Sequence, residues 1–136
     1  MGNKIFEYTR KDSYGIDICK MIIRYCEEEN VEYISYENEE ESGIYTIDKE
    51  DLNDIFSIID DNTDLFDIES VEEPPVFDGF INEFYFSTLK QDITIKASNL
   101  DYYVMEMNIP DEAALLLEIF EDISEILERN DIELTL

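Results

Sequence analysis

The sequence predicts an α+β fold, in which three helices of one domain pack on an antiparallel or mixed β-sheet. Three segments carry apolar residues at three- and four-residue spacing, and shorter segments are rich in strand-forming residues. The chain has 136 residues, 44% of them hydrophobic, which is enough for one domain with its own core. Eight Phe and nine Tyr distinguish it from acidic disordered segments, which are poor in aromatic residues.

The first predicted elements are a strand, a helix and two further strands. The first strand covers Lys4 to Thr9, and the helix covers 13–29 with Ser13 as its N-cap. Strands at Val31–Tyr36 and Ile44–Ile47 flank an acidic loop. The helix prediction rests on the apolar positions Ile18, Cys19, Ile22, Ile23 and Cys26, which fall on one helical face.

A second helix is predicted to begin at Asp48, whose side chain can cap it. Its buried side is formed by Leu52, Ile55, Phe56 and Ile59. Residues 60–79 form a long acidic connection, in which Pro74-Pro75 opposes strand pairing. Asp78-Gly79 predicts a turn at its end.

An antiparallel three-strand meander is predicted at 80–109. Its strands are 80–89, 92–98 and 102–109, since the separating segments are short. Pro110 suits the first turn of a third helix, which runs to about 129. Its core face is formed by Leu116, Ile119, Phe120, Ile123, Ile126 and Leu127. Alternation at Ile132, Leu134 and Leu136 predicts a last edge strand.

Two cysteines indicate a reducing environment. Cys19 and Cys26 are seven residues apart, roughly 10 Å on a helix, which exceeds the ~7 Å limit for a disulfide. Zinc binding is unsupported because the chain has no histidine and no further cysteine. The sequence shows no signal peptide and no run of 18 apolar residues, so a cytoplasmic protein is expected.

The dominant feature is the charge. The chain has 36 Asp and Glu against 9 Lys and Arg, a net of −27, whereas solubility needs a net of roughly 2–8. Residues 1–26 carry +2, residues 27–89 carry −20 and residues 90–136 carry −9. Adaptation to high salt is the alternative, but 20 Ile against 3 Ala is atypical of extreme halophiles. This asymmetry predicts an acidic face that binds a basic partner.

Three acidic clusters are the candidate partner-binding sites. We call them the acidic loop (37–41), the acidic tract (60–73) and the acidic row of the last helix. Tyrosines beside the loop can stack on Arg and hydrogen-bond to it. The candidate residues are Tyr36, Glu37, Glu39, Glu40, Glu41 and Tyr45; Asp60, Asp61, Asp64, Asp67, Glu69, Glu72 and Glu73; and Glu118, Glu121, Asp122 and Glu125.

The acidic row has a spacing suited to mimicry of a nucleic-acid backbone. Acids four residues apart rise about 6 Å along a helix, similar in scale to neighbouring phosphates on a nucleic-acid strand. Such acids also repel each other by roughly 0.2–0.5 kcal/mol per pair. A plain solvated helix face remains the alternative for the row, and half-buried strand positions remain the alternative for the tyrosines.

The sequence gives little support for a calcium-binding site or for a catalytic site. Asp60, Asn62 and Asp64 match the first ligand positions of an EF-hand loop, but Leu65 and Val71 stand where Gly and Glu are required. Without histidine, the common general base and nucleophile arrangements are missing. A strong negative field also repels phosphate substrates, nucleic acid and anionic lipid. The sequence therefore predicts a non-enzymatic protein without a cofactor or a specific metal site.

In charge and size alone, the chain is similar to the acidic inhibitors that phages and mobile elements direct against host defence. The function predicted is a nucleic-acid mimic that blocks the cationic site of a bacterial defence enzyme, of the anti-CRISPR or anti-restriction type. An immunity protein or antitoxin that neutralises a cationic toxin is the first alternative. A metal-responsive acidic binding module is the second. The sequence leaves the partner's identity and the oligomeric state open.

Overall fold

The computed structural model describes residues 3–25, 30–75 and 79–136. Within them, six strands form one antiparallel sheet in the order β4-β3-β2-β1-β5-β6. The strands are β1 Asn3–Lys11, β2 Asp17–Tyr25, β3 Asn30–Ser35, β4 Gly43–Thr46, β5 Ile81–Ser87 and β6 Asp92–Ser98. Three α-helices accompany them, α1 Lys49–Asp61, α2 Leu100–Tyr103 and α3 Asp111–Glu128. The predicted α+β fold class is confirmed.

The helices α1 and α3 lie where the sequence predicted them. Asp48 caps α1, its side chain accepting a hydrogen bond from the backbone N–H of Glu50 (3.4 Å), and α3 follows Pro110. All six residues predicted to form the core face of α3 are buried. Both helices therefore form as amphipathic elements with start signals in their own sequence.

The core lies between the helices and one face of the sheet. Phe120 of α3 contacts the rings of Tyr8 and Phe84, with centroids 5.2 and 6.0 Å apart. On α1, Phe56 packs on Tyr25 of β2 at 5.0 Å. We call the opposite side of the sheet the outer face, and α1, α3 and the acidic tract together the helical layer.

The helix predicted at 13–29 is wrong, because residues 17–25 form strand β2, paired with β1 and β3. Cys19, Met21 and Ile23 face the core, while Ile18 and Ile22 lie on the outer face and are also largely buried. Apolar residues on both faces of a central strand imitate helical spacing. Cys19 is thus a buried strand residue with a free thiol, and Cys26 lies outside the described residues.

Two further strand predictions are wrong. The third strand of the meander, 102–109, is replaced by α2 and a series of turns. The side chain of Asn82 starts α2, accepting a hydrogen bond from the backbone N–H of Leu100 (3.2 Å). Residues 132–136 bury Ile132 and Leu134 in the core, but they pair with no strand of the described chain.

The two long helices cross the sheet in opposite directions. The first turn of α1 follows β4 and meets the last turn of α3, where Arg129 pairs with Asp51 (3.3 Å). At its far end α1 leads into a 3-10 helix, Thr63–Asp67, that contacts β6. Because α2 and then α3 follow β6, the start of α3 also lies on the β6 side.

Candidate partner-binding surface

The acidic loop is a short, ordered structure between β3 and β4. Glu39–Glu41 form a single 3-10 turn, and the side chain of Asn38 caps it by accepting a hydrogen bond from the N–H of Glu40 (3.2 Å). The hydroxyl of Ser35 accepts from the N–H of Asn38 (3.1 Å), and the hydroxyl of Ser42 accepts from the N–H of Ser35 (2.9 Å). These bonds hold the backbone of the turn in place.

Three tyrosines lie beside the acidic loop with different exposure. Tyr36 is 50% exposed and Tyr45 is 39% exposed. The Tyr45 hydroxyl donates a hydrogen bond to the backbone oxygen of Glu41 (3.2 Å). Tyr33 is half-buried, and burial together with the neighbouring Cys19 raises the pKa of its hydroxyl. Tyr36 and Tyr45 are therefore accessible to a partner.

The acidic tract begins in the last turn of α1 and wraps the β6 side of the molecule. Its carboxylates are exposed, while Leu65 is fully buried and Val71 is largely buried. The two positions that break the EF-hand pattern thus serve the core. Within the described residues, no group of three Asp, Glu or Cys side chains is arranged to hold a metal ion. The Tyr103 hydroxyl fastens the tract by donating to the backbone oxygen of Glu72 (2.8 Å).

The acidic row occupies the solvent side of α3. Glu118, Glu121, Asp122 and Glu125 are all exposed, and Glu128 continues the row. The helix is 18 residues long, which corresponds to about 27 Å. The row therefore presents anions along a rigid rod.

The acids of the three clusters lack ionic partners. In the described part of the chain, none of the fifteen candidate carboxylates lies within 4.0 Å of a Lys or Arg nitrogen. All fifteen are exposed. They are consequently available to cations from another molecule.

The outer face of the sheet differs in charge from the rest of the molecule. The strand register places five basic residues there, Lys4, Lys11, Lys20, Arg24 and Lys96, with five acidic ones, Glu7, Asp17, Glu32, Glu83 and Asp92. Ion pairs join several of them, such as Arg24 with Glu32 (3.5 Å). The face is therefore neutral. The other 31 acids and four bases, including four acids outside the described residues, carry the entire net charge of −27.

The fold separates the acidic loop from the acidic tract. The loop lies at the β4 edge of the sheet and the tract lies beside β6, the opposite edge. Five strand spacings of about 4.8 Å put roughly 24 Å between these edges. The acidic row occupies the C-terminal part of α3, which ends on the β4 side where Arg129 pairs with Asp51. We interpret the three clusters as parts of one anionic surface.

A cavity of about 440 Å³ lies between the acidic loop and the C-terminal segment. Glu41, Tyr45 and Tyr33 line one side, and Asp131 and Glu133 line another. Arg10 also reaches this cavity. Its guanidinium donates to the backbone oxygen of Leu136 (2.8 Å) and lies 5.0 Å from the ring of Phe80. We interpret Arg10 as the residue that fastens the C-terminal segment.

Sequence reasoning missed an exposed apolar tip at 104–107. Val104, Met105 and Met107 are 57%, 88% and 97% exposed. The strand predicted there rested on the short segments that separate the predicted strands. Asn99 has φ 53°, a conformation that Asn adopts more readily than most residues, and it directs the chain into α2.

No protein-family model matches the chain, and no curated protein matches it in sequence. In the described residues, no helix is long and apolar enough to cross a membrane.

Proposed function

We propose that the protein is an acidic inhibitor that mimics nucleic acid and blocks the cationic nucleic-acid-binding site of a bacterial defence enzyme. Such an inhibitor works in the cytoplasm of the host cell. The observation that carries this proposal is the segregation of charge, with a neutral outer face and a net of −27 on the rest of the chain. Charge selected for solubility alone would intersperse both signs over the whole surface.

The acidic row supplies the central part of the mimic. From Glu118 to Glu128 the row rises about 15 Å, which corresponds to about four nucleotide steps of 3.4 Å along one strand. Because the helix is rigid, its carboxylates are already arranged before the partner binds, which limits the entropy lost on association. Lys and Arg of the partner would replace phosphate contacts with contacts to Glu and Asp.

The two ends of the anionic surface extend this contact. Tyr36 and Tyr45 stand beside the acidic loop, where they can stack on Arg or enter a base-binding site. The acidic tract lengthens the surface at the other end. The strong negative field would accelerate capture of a cationic partner and make the affinity sensitive to salt.

Three immobilised baits test this proposal. The first is the wild type, and the second carries Glu118→Lys, Glu121→Lys and Glu125→Lys. The third, a matched control, carries Asp17→Lys, Glu32→Lys and Asp92→Lys on the outer face. Each triple variant gains six charges, so both have a net of −21. Bacterial host lysate is applied at low salt, eluted with a salt gradient, and the eluted proteins are identified.

The proposal predicts that the wild type and the outer-face control retain a nucleic-acid-processing enzyme from the lysate. The α3 variant should not retain this enzyme. Duplex DNA or RNA should displace this enzyme from the bait, and the free protein should inhibit its activity. A cationic toxin in its place would favour the immunity-protein alternative. Equal retention of basic proteins by all three baits would show ion exchange alone and would contradict the proposal.

A further inference from the structure

The apolar tip, residues 104–107, projects from an ordered base. On one side, Leu100 and Tyr103 are buried in the core. Backbone hydrogen bonds continue into the tip, from Val104 N–H to the oxygen of Asp101 and from Glu106 N–H to the oxygen of Tyr103, each 3.2 Å. The exposure of Met105 and Met107, 88% and 97%, is therefore set by the turns that follow α2.

Carboxylates lie beside the Met107 side of this tip. Met107 lines a shallow cleft together with Glu72 of the acidic tract and with Asp111 and Glu112 of the first turn of α3. Glu106 is exposed between the two methionines. A partner that covers the tip must therefore present cations beside an apolar or aromatic depression.

We propose that Met105 and Met107 insert into the base-binding pocket of the same cationic cleft that receives the acidic row. This inference rests on the proposed function and names the contact that charge alone does not provide. A nucleic-acid site combines a basic groove with aromatic side chains on which bases stack. Methionine is flexible, makes favourable sulfur–aromatic contacts, and is enriched at interface cores. The carboxylates beside Met107 form the polar rim of this apolar anchor.

The first experiment uses the enzyme that the wild-type bait captures. It measures how tightly this enzyme binds the double variant Met105→Ala/Met107→Ala, in comparison with the wild type. The matched control is Leu89→Ala, since Leu89 is 82% exposed but lies in the β5–β6 turn beside Lys90. We expect at least a tenfold loss for the methionine variant and less than about a twofold change for the control. The salt dependence of affinity should stay as in the wild type, whereas it should weaken in the α3 variant.

Methionine oxidation supplies an independent measurement. Hydrogen peroxide is added to the free protein and to its complex with the captured enzyme, and sulfoxides are quantified by mass spectrometry. Met105 and Met107 should oxidise rapidly in the free protein and at least fivefold more slowly in the complex. Met21 is 1% exposed and serves as the internal reference in both samples. Equal oxidation in both samples would overturn the inference.

The outcomes distinguish a failure of this inference from a failure of the proposed function. If the α3 variant loses binding and the methionine variant keeps it, the tip is not an anchor and the mimic stands. If only the methionine variant loses binding, the tip contacts the partner but the acidic row does not, so both the mimic and the placement of the tip in its cleft are wrong. Wild-type affinity in both variants overturns both.

Discussion

The outer face and the helical layer differ in how far their acidic residues are balanced by basic ones. On the outer face, acids and bases form ion pairs within a strand, such as Lys4 with Glu7 (3.4 Å), and between neighbouring strands, such as Arg24 with Glu32 (3.5 Å). In the helical layer, exposed acids follow each other at three- and four-residue spacing along α3. The difference shows that the chain can neutralise its carboxylates and does so mainly on the outer face, since the ion pairs of the described helical layer are those of Arg129 with Asp51 and Asp54.

This contrast limits the explanations for the net charge. A general requirement for solubility or for high salt acts on every exposed surface, and it gives no reason to place five of nine bases on one face. A single cationic partner acts on one surface only. The cost of like charges along α3, roughly 0.2–0.5 kcal/mol per pair, is then the consequence of keeping that surface anionic.

The largest expected effect comes from reversing the acidic loop. Glu39→Lys/Glu40→Lys/Glu41→Lys should reduce partner affinity about a hundredfold, or about 2.7 kcal/mol, because like charges would then face each other across the interface. The domain should stay folded, since the turn is held by Ser35, Asn38 and Ser42. Isothermal titration calorimetry with the captured enzyme measures the affinity.

The outer-face variant Asp17→Lys/Glu32→Lys/Asp92→Lys is the control for this prediction because it has the same net charge. Its affinity should stay within about threefold of the wild type. An unchanged affinity in the loop variant would remove the loop from the binding surface. Equal losses in both variants would mean that net charge, not its placement, determines binding.

A smaller effect tests the same contrast without any partner. Glu121→Lys converts repulsion from Glu118 and Glu125 into attraction, so the free energy of unfolding should rise by about 0.8–2 kcal/mol over the two pairs. Glu32→Lys makes the same charge change on the outer face, but it replaces an ion pair with Arg24 by repulsion. The free energy of unfolding should fall there by about 0.2–1 kcal/mol.

Urea unfolding at low salt measures both changes, and added salt should reduce each of them. Both substitutions lower the total negative charge equally, so overall repulsion cancels in the comparison. A shift of the same sign and size in both variants would show that only the total charge matters. The placement of charge on the two faces would then have no separate effect on the free energy of unfolding.

Local signals in the sequence were sufficient for α1, α3 and most strands. The helix α3 has a complete apolar stripe after Pro110, and α1 has its cap at Asp48. The exposure of the candidate residues was also predictable, since runs of carboxylates without bases cannot be buried. All seventeen of those residues are exposed.

Features that depend on pairing could not be predicted. The strand β2 lies inside the sheet and carries a buried apolar residue, Ile22, on its outer face as well as three on its core face, so its apolar spacing is indistinguishable from that of a short helix. The neutral outer face exists only through the register that brings Lys11 beside Glu83 and Arg24 beside Glu32. The apolar tip was assigned to a strand because the separating segments are short, and short separators do not reveal whether a partner strand exists.

The smallest expected effect is a loss of folding stability at alkaline pH. It compares one titrating group of the outer face with one behind the helical layer. On the outer face, the hydrogen bond to Glu83 and its charge raise the pKa of Lys11. Behind the helical layer, burial and then the charge of Glu72 raise the pKa of Tyr103. Both groups therefore bind their protons more tightly in the folded state. The stability they contribute is complete below the unfolded pKa values, about 10 to 10.4, and is lost as pH rises through the folded values.

Urea unfolding between about pH 9 and pH 11.5 should show this loss in the wild type. Lys11→Met and Tyr103→Phe each remove one titrating group, so each variant should lose less stability than the wild type over the same range. Because the Lys11 side chain is 28% exposed, solvent weakens its interaction with Glu83, and its share should be small. A pH profile in Lys11→Met that matches the wild type, beside a flatter one in Tyr103→Phe, would show that outer-face pairs neutralise charge without stabilising the fold. The two faces would then differ in charge balance alone.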